Sequence, residues 1–193
     1  MSFMNVSLGI SYAKPPIGDL RFQPPQDPSN WSGIKNSYEQ PPSCMQRPDA
    51  FFADFEGSRE GQPSMPPSED CLYLNIFVPD LLVRVFKGKI ENGDENLIKN
   101  GLPVLIWFHG GSFSSGSSLN NGPLEDDWIP DPREFASNGE IIVVTVQYRL
   151  GSFGFLFMDD AKAPGNVGLL DQLKAVEWIK SNILGMVQIE CLS

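Results

Sequence analysis

The chain has 193 residues, of which 41% are hydrophobic and 11% aromatic, enough apolar material to bury the core of one domain. Its formal net charge of −10 argues against nucleic acid or an anionic membrane surface as a partner, because both require a basic patch. No apolar run approaches the roughly 18 residues that span a bilayer, and the first nine residues lack the basic-then-apolar order of a signal peptide. The acidic surface either favours cationic substrates or only aids solubility.

The first 38 residues are predicted to form short strands and turns. The pairs Pro15-Pro16 and Pro24-Pro25 exclude helix there and force an extended path. This part of the chain also holds two Asn-X-Ser sequons, at Asn5 and Asn30, which are candidate glycosylation sites although such triplets often arise by chance.

The middle of the chain alternates apolar and charged stretches. Leu72–Val78 is predicted to be a strand that Pro79 closes. Asp80–Gly101 mixes lysine, acidic residues and glycine, and it is predicted to be a long solvated insertion without chemistry. Farther on, the carboxylates of Glu125, Asp126, Asp127 and Asp131 are scattered along a loop. Such groups are usually only solvated, so neither a metal site nor a cofactor is predicted.

The apolar run Val104–Phe108 ends abruptly at a glycine turn. It has no polar alternation, which is typical of a parallel strand covered on both faces. Glycines directly after a strand let backbone N–H groups turn toward a ligand, so Gly110, Gly111 and Ser112 form a candidate oxyanion site. The alternative is a tight turn with no chemistry.

Two further elements complete the predicted α/β sheet. Ile141–Gln147 is a second continuous run rich in β-branched residues and is predicted to be a central strand beside Val104–Phe108. Leu169–Ile183 is predicted to be a helix. Its predicted apolar face consists of Leu169, Leu173, Val176, Ile179 and Ile183. Strand, loop and helix in this order indicate an open α/β sheet.

Several motifs together resemble the type-B carboxylesterase and cholinesterase family, over nearly all of Val6 to Ile183. They are Gly9–Phe22, Ser68–Asn75, His109-Gly110-Gly111, Tyr148–Phe155 and Gly165–Gln172. The resemblance implies a partial α/β-hydrolase fold, comprising the N-terminal part of the central mixed sheet with its flanking helices. Residues 1–183 would be the N-terminal part of the family's domain, and its substrate would be a small-molecule carboxylic ester.

The resemblance also implies a set of structural pairs. Cys44 and Cys71 match the family's first disulfide loop, which favours an oxidising compartment. Arg21 with Glu69, and Arg149 with Asp171, match structural ion pairs. A complete family member would be secreted, or extracellular and membrane-anchored, although this chain has no signal peptide. The oligomeric state is not predicted.

Within the disulfide loop, Gly61 stands where cholinesterases carry a tryptophan that holds the choline cation through its ring. Glycine cannot make that contact, so choline selectivity is not predicted.

The catalytic triad of an α/β-hydrolase is absent from this sequence. There is no Gly-X-Ser-X-Gly pentapeptide, and the only histidine is His109 in the glycine turn. From Leu184 the family pattern stops, and residues 184–193 form a divergent tail. The leading hypothesis is therefore an N-terminal piece of a serine esterase that is inactive alone. The alternatives are a neuroligin-like adhesion protein of the same fold and a non-functional truncated product.

Overall fold

A computed structural model describes residues 4–33, 35–47, 65–79, 101–119 and 131–192, with side chains as far as Ile183. Four sequence-based interpretations lie outside these residues. They concern Gly61 and its loop, the insertion before Gly101, the carboxylates of Glu125, Asp126 and Asp127, and the side chain of Cys191. In the described part, no group of three or more His, Cys, Asp or Glu is placed to hold a metal ion, and no helix is long and apolar enough to cross a membrane.

A four-stranded mixed sheet forms the centre of the described fold. Its strands are β1 (Met4–Ser11), β4 (Tyr73–Pro79), β5 (Val104–Phe108) and β6 (Ile142–Val146), in the spatial order β1-β4-β6-β5. β4 is antiparallel to both β1 and β6, whereas β5 and β6 are parallel. The chain is thus an α/β protein with a partial hydrolase-type sheet.

The remaining elements are short, with one exception. Two small sheets pair β2 (Ser43–Cys44) with β3 (Pro67–Ser68) and β7 (Phe157–Asp160) with β8 (Ala163–Pro164). A 3-10 turn spans Gly18–Leu20. The helices are α1 (Pro132–Gly139), α2 (Gly151–Phe155) and α3 (Val167–Leu192).

The strand β6 is central, as its sequence predicts. All five of its residues are buried, and it pairs with β5 from Val104 opposite Ile142 to Phe108 opposite Val146. The main core packs α3 against one face of the sheet, through Ala175, Trp178 and Ile179. On the other face, Ala136 of α1 packs against Phe77 and Val143. A continuous apolar run therefore marks β6 as the strand covered on both faces.

The cover on both faces that the apolar run of β5 predicts is missing from the described residues. The side chains of Val104, Leu105 and Trp107 are exposed, the last to 40%. β5 lies at the edge of the four-stranded sheet beside β6, and of its residues Ile106 and Phe108 pack against the main core.

Helix α3 lies where a helix was predicted, but the side that faces the core is not the predicted apolar face. α3 begins two residues before Leu169, and its buried face carries Val167, Asp171, Ala175, Trp178, Ile179 and Ile183. Three positions of the predicted apolar face, Leu169, Leu173 and Val176, are exposed, and Leu173 is 55% exposed. Asp171 is turned toward the core by its ion pair with Arg149, and residues at helical spacing from Asp171 follow it inward.

Helix α1 was not predicted from the sequence, although a local signal for it exists. The Asp131 side chain accepts the Arg133 N–H at 2.8 Å, Pro132 occupies the first turn, and Glu140 ends the helix in a left-handed conformation. Asp followed by Pro is a common helix start, because the carboxylate caps a free N–H and proline has none to satisfy.

Candidate active site

The loop that follows β5 is held in a backbone conformation that requires glycine at two positions. Gly111 and Gly116 have φ angles of +114° and +119°. A Cβ atom on Gly111 would collide with the Ser115 carbonyl, and one on Gly116 would collide with the His109 ring and the Gly110 carbonyl. Ser112 and Phe113 are also left-handed, with φ of 53° and 59°. Adjacent left-handed residues without glycine are costly and occur mainly at functional sites.

The carbonyl groups of this loop fix the direction of its free N–H groups. The Gly110 carbonyl oxygen accepts from His109 Nδ1 at 2.9 Å, and the Gly111 oxygen accepts from the N–H groups of Ser114 and Ser115 at 3.0 and 3.1 Å. The N–H opposite each carbonyl belongs to the next residue of the same trans peptide and must point the other way. The N–H groups of Gly111 and Ser112 are therefore oriented outward, and both residues are exposed.

Those two N–H groups have no acceptor within the described residues. A backbone donor that is held in place but unpaired is the element from which an oxyanion hole is built.

His109 is fixed within the loop by packing and hydrogen bonds. Its ring is buried and stacks on Tyr148 with centroids 4.5 Å apart, and the Tyr148 hydroxyl donates to the His109 carbonyl at 2.7 Å. Because Nδ1 donates to a carbonyl, it must carry the proton, and the buried Nε2 has no partner in the described structure. Burial lowers the pKa of His109 below its ordinary value.

The stability of the fold is expected to fall as the pH drops from about 7.5 to about 5.5, because of His109. Its pKa is lower in the folded state than in the unfolded chain, which therefore takes up a proton that the folded chain does not. Its contribution is fully present above the unfolded pKa of about 6.5 and is lost as the pH falls toward the folded value. Chemical unfolding at both pH values checks this. The dependence should shrink in His109→Gln, and stability that rises as the pH falls would contradict it.

The far end of the loop is anchored to α2. The Gly151 N–H donates to the Phe113 carbonyl at 2.7 Å. The Phe113 ring, which is nearly half exposed, lies with its centroid 5.1 Å from that of Phe155 and 6.4 Å from that of Tyr148. The residue that follows Ser112 is thus fixed by a backbone hydrogen bond to α2 and by ring contacts.

A buried polar network behind the loop was missed by the sequence analysis. Asn75 donates to the hydroxyls of Ser118 and Thr145 at 3.1 and 3.0 Å, and Gln147 donates to Ser117 Oγ at 3.0 Å and accepts the Ser118 N–H at 3.2 Å. The available signal is a carboxamide inside or directly after an apolar strand. Such a group is buried only when it is satisfied.

The predicted pairs all lie close enough to interact. Cys44 and Cys71 are bonded, and both are fully buried. Arg149 donates from Nε and Nη2 to Asp171 at 2.7 Å each, and its backbone N–H donates at 3.1 Å. Burial raises the pKa of Asp171, and the Arg149 donors oppose that shift.

The second ion pair and the two sequons lie at or near the surface. Arg21 makes two hydrogen bonds with Glu69 near the surface. Of the two sequons, Asn30 is exposed, whereas Asn5 lies inside β1 opposite Val78 and is partly buried.

Comparison with known proteins matches the chain to one protein family and to individual esterases. Residues 4–185 match the model of the carboxylesterase family. The chain is 40% identical over 186 residues to an acetylcholinesterase of Leptinotarsa decemlineata, which covers 93% of the chain and 28% of that protein. It is 40% identical over 185 residues to the pyrethroid hydrolase Ces2a of Mus musculus, covering 94% and 28%. An acetylcholinesterase of Electrophorus electricus is 37% identical over 91% of the chain and 24% of its own length.

The chain spans about a quarter of the length of these relatives. The family model covers every motif on which the resemblance was based, from Gly9 to Gln172, including the glycine loop after β5. The chain therefore belongs to the carboxylesterase family.

Proposed function

We propose that the chain supplies the oxyanion-hole loop of a serine carboxylic-ester hydrolase. The observation that carries this proposal is the orientation of the Gly111 and Ser112 N–H groups by the fixed carbonyls of Gly110 and Gly111. In ester hydrolysis, a serine oxygen attacks the ester carbonyl and the carbonyl oxygen becomes negatively charged. Two positioned N–H donors stabilise that charge, and loss of one donor typically costs about 2.7–4 kcal/mol of barrier.

The nucleophile, the acid and the base are proposed to come from sequence that follows Ile183 in a longer product. Two features support this. The relatives are about four times longer than the matched part, and apolar side chains on β5 and α3 are exposed, among them Leu105, Trp107 and Leu173. A parallel strand with such residues is usually covered on both faces. The substrate is proposed to be a small carboxylic ester.

Sequencing the messenger RNA beyond Ile183 tests the proposal and separates the alternatives. We expect an in-frame Gly-X-Ser-X-Gly pentapeptide, followed by an acidic residue and a histidine. The same frame with that serine replaced would favour a non-catalytic adhesion protein. A reading frame that never resumes the family pattern would contradict both and leave a truncated product.

The isolated 193-residue chain is expected to hydrolyse no ester and to take up no label from an organophosphate. It has no Gly-X-Ser-X-Gly sequence, and its only histidine is buried against Tyr148. Intact-mass measurement after incubation with a fluorophosphonate checks this, with a relative of known activity as the positive control. Stoichiometric labelling of any serine would show that the chain contains an activated nucleophile.

The protein is also proposed to be exported, which the buried disulfide supports. In that compartment Asn30 is the sequon proposed to carry a glycan, because residues 30–32 are exposed whereas Asn5 lies in a paired strand. Glycosidase treatment followed by peptide mapping is the test. A glycan found on Asn5 and not on Asn30 would contradict it.

A further inference from the structure

The loop after β5 is hydrogen-bonded to the side chain of Gln46, which lies far from it in the sequence. Gln46 lies two residues after the disulfide-bonded Cys44, and its carboxamide meets the backbone of Gly116. Nε2 donates to the Gly116 carbonyl at 2.8 Å, and Oε1 accepts the Gly116 N–H at 2.9 Å. The side chain therefore pairs with Gly116 as a neighbouring strand would, with one bond in each direction.

Gln46 is itself fixed by the disulfide region. Its Nε2 also donates to the Cys44 carbonyl at 3.1 Å, and Cys44 lies in β2, which is paired with β3 and bonded to Cys71. A glutamine side chain that is bonded to the backbone two residues before it has lost much of its rotamer freedom before it meets Gly116. The contact is therefore made by a preorganised group.

Gly116 in turn touches the groups that orient the free N–H donors. A Cβ atom added to Gly116 would lie 2.3 Å from His109 Nδ1 and 2.4 Å from the Gly110 carbonyl oxygen, which is a steric clash. The Gly116 backbone therefore packs directly against that hydrogen-bonded pair. The same pair sets the direction of the Gly111 N–H. A shift of Gly116 would therefore remove the packing that confines the Gly110 carbonyl beside His109 Nδ1.

From this arrangement we propose that Gln46 is a positioning residue for the oxyanion loop. Its hydrogen bonds go to Gly116 and Cys44, and it acts through Gly116 on the peptides that present the Gly111 and Ser112 N–H groups. Gln46, beside the disulfide-bonded Cys44, thereby links that part of the chain to the oxyanion loop 70 residues away at Gly116. The name oxyanion loop rests on the proposed function. The mechanical claim, that Gln46 holds this loop, does not.

Amide hydrogen exchange of the full chain, oxidised, tests the proposal. Gln46→Met keeps the length and volume of the side chain but removes both bonds to Gly116. We expect the Gly116 amide to exchange about fivefold faster, since a net hydrogen bond stabilises by roughly 1 kcal/mol. The amides of Ser114 and Ser115, which donate to Gly111 and not to Gln46, should also exchange faster.

Gln23→Met is the matched control. Gln23 also spans two backbone groups of a distant loop, donating to the carbonyls of Ala161 and Lys162 at 3.1 and 2.8 Å. It should leave the exchange of Ser114, Ser115 and Gly116 unchanged. Gln46→Glu keeps an acceptor for the Gly116 N–H and should retain part of the protection at Gly116.

Three results would overturn the proposal. The first is unchanged exchange of Gly116 in Gln46→Met. The second is faster exchange of Gly116 alone, which would make Gln46 a bonding partner without a positioning role. The third is an equal effect of Gln23→Met. If Gln46→Met also speeds the exchange of the β6 amides, it has destabilised the fold as a whole. The outcomes are then judged from the exchange of the same loop amides in Gln46→Glu. Because exchange needs no catalysis, a failed esterase test would leave this result standing.

Discussion

Asp171→Ala is expected to lower the free energy of unfolding by about 3–5 kcal/mol, the typical cost of leaving one partner of a buried ion pair alone. Arg149 would keep a charge that is only 3% exposed, with no carboxylate to accept its two side-chain bonds. Urea unfolding followed by tryptophan fluorescence measures the change, because Trp178 of α3 is part of the main core. For a domain at the lower end of ordinary stability, about 5 kcal/mol, such a loss removes most of the stability.

Two control variants separate charge burial from other effects. Glu69→Ala breaks the exposed pair with Arg21 and should change stability far less, because solvent screens exposed charges. The double variant Arg149→Met with Asp171→Leu removes both charges and should recover much of the loss. An Asp171→Ala variant as stable as Glu69→Ala would contradict the expected cost of leaving Arg149 buried without its partner.

Replacing both Cys44 and Cys71 by serine is expected to lower the free energy of unfolding by about 3–4 kcal/mol, on the chain-entropy estimate for a loop of this size. The two cysteines are separated by 27 positions, and both side chains are fully buried. The unbridged chain loses the constraint on its unfolded state, and two buried hydroxyls must then find partners.

The measurement is urea unfolding of the oxidised protein and of the double serine variant. Mapping of unreduced peptides must first establish that Cys44 is linked to Cys71 in the oxidised sample. Equal midpoints for the two proteins would contradict the expectation, and so would a dominant link from Cys191 to either cysteine.

The strands were predictable because their signals are local. Val104–Phe108 is a strand over the residues predicted. The predicted strands Leu72–Val78 and Ile141–Gln147 differ from the observed β4 and β6 by one residue at each end. A continuous apolar run between turn residues is sufficient to place a strand in an α/β sheet. The family resemblance added the pairs that local signals cannot give, such as Cys44 with Cys71.

The orientation of α3 could not be predicted from periodicity. The helix has apolar residues on two sides, and its buried side is chosen by a charged residue, Asp171, which the pattern excludes from the core. The contact from Gln46 to Gly116 was equally inaccessible, because a polar side chain in a loop gives no sequence signal for a partner 70 positions away. The oxyanion role of Gly110, Gly111 and Ser112 stays a prediction.

Active-site labelling of the natural gene product tests the central claim most directly. The protein would be captured from its own cells with an antibody against this chain, treated with a fluorophosphonate and digested, and the modified residue located by mass spectrometry. We predict one labelled serine, in a Gly-X-Ser-X-Gly peptide of a product that also contains His109-Gly110-Gly111. A family-length product that contains this loop and takes up no label would contradict the esterase account.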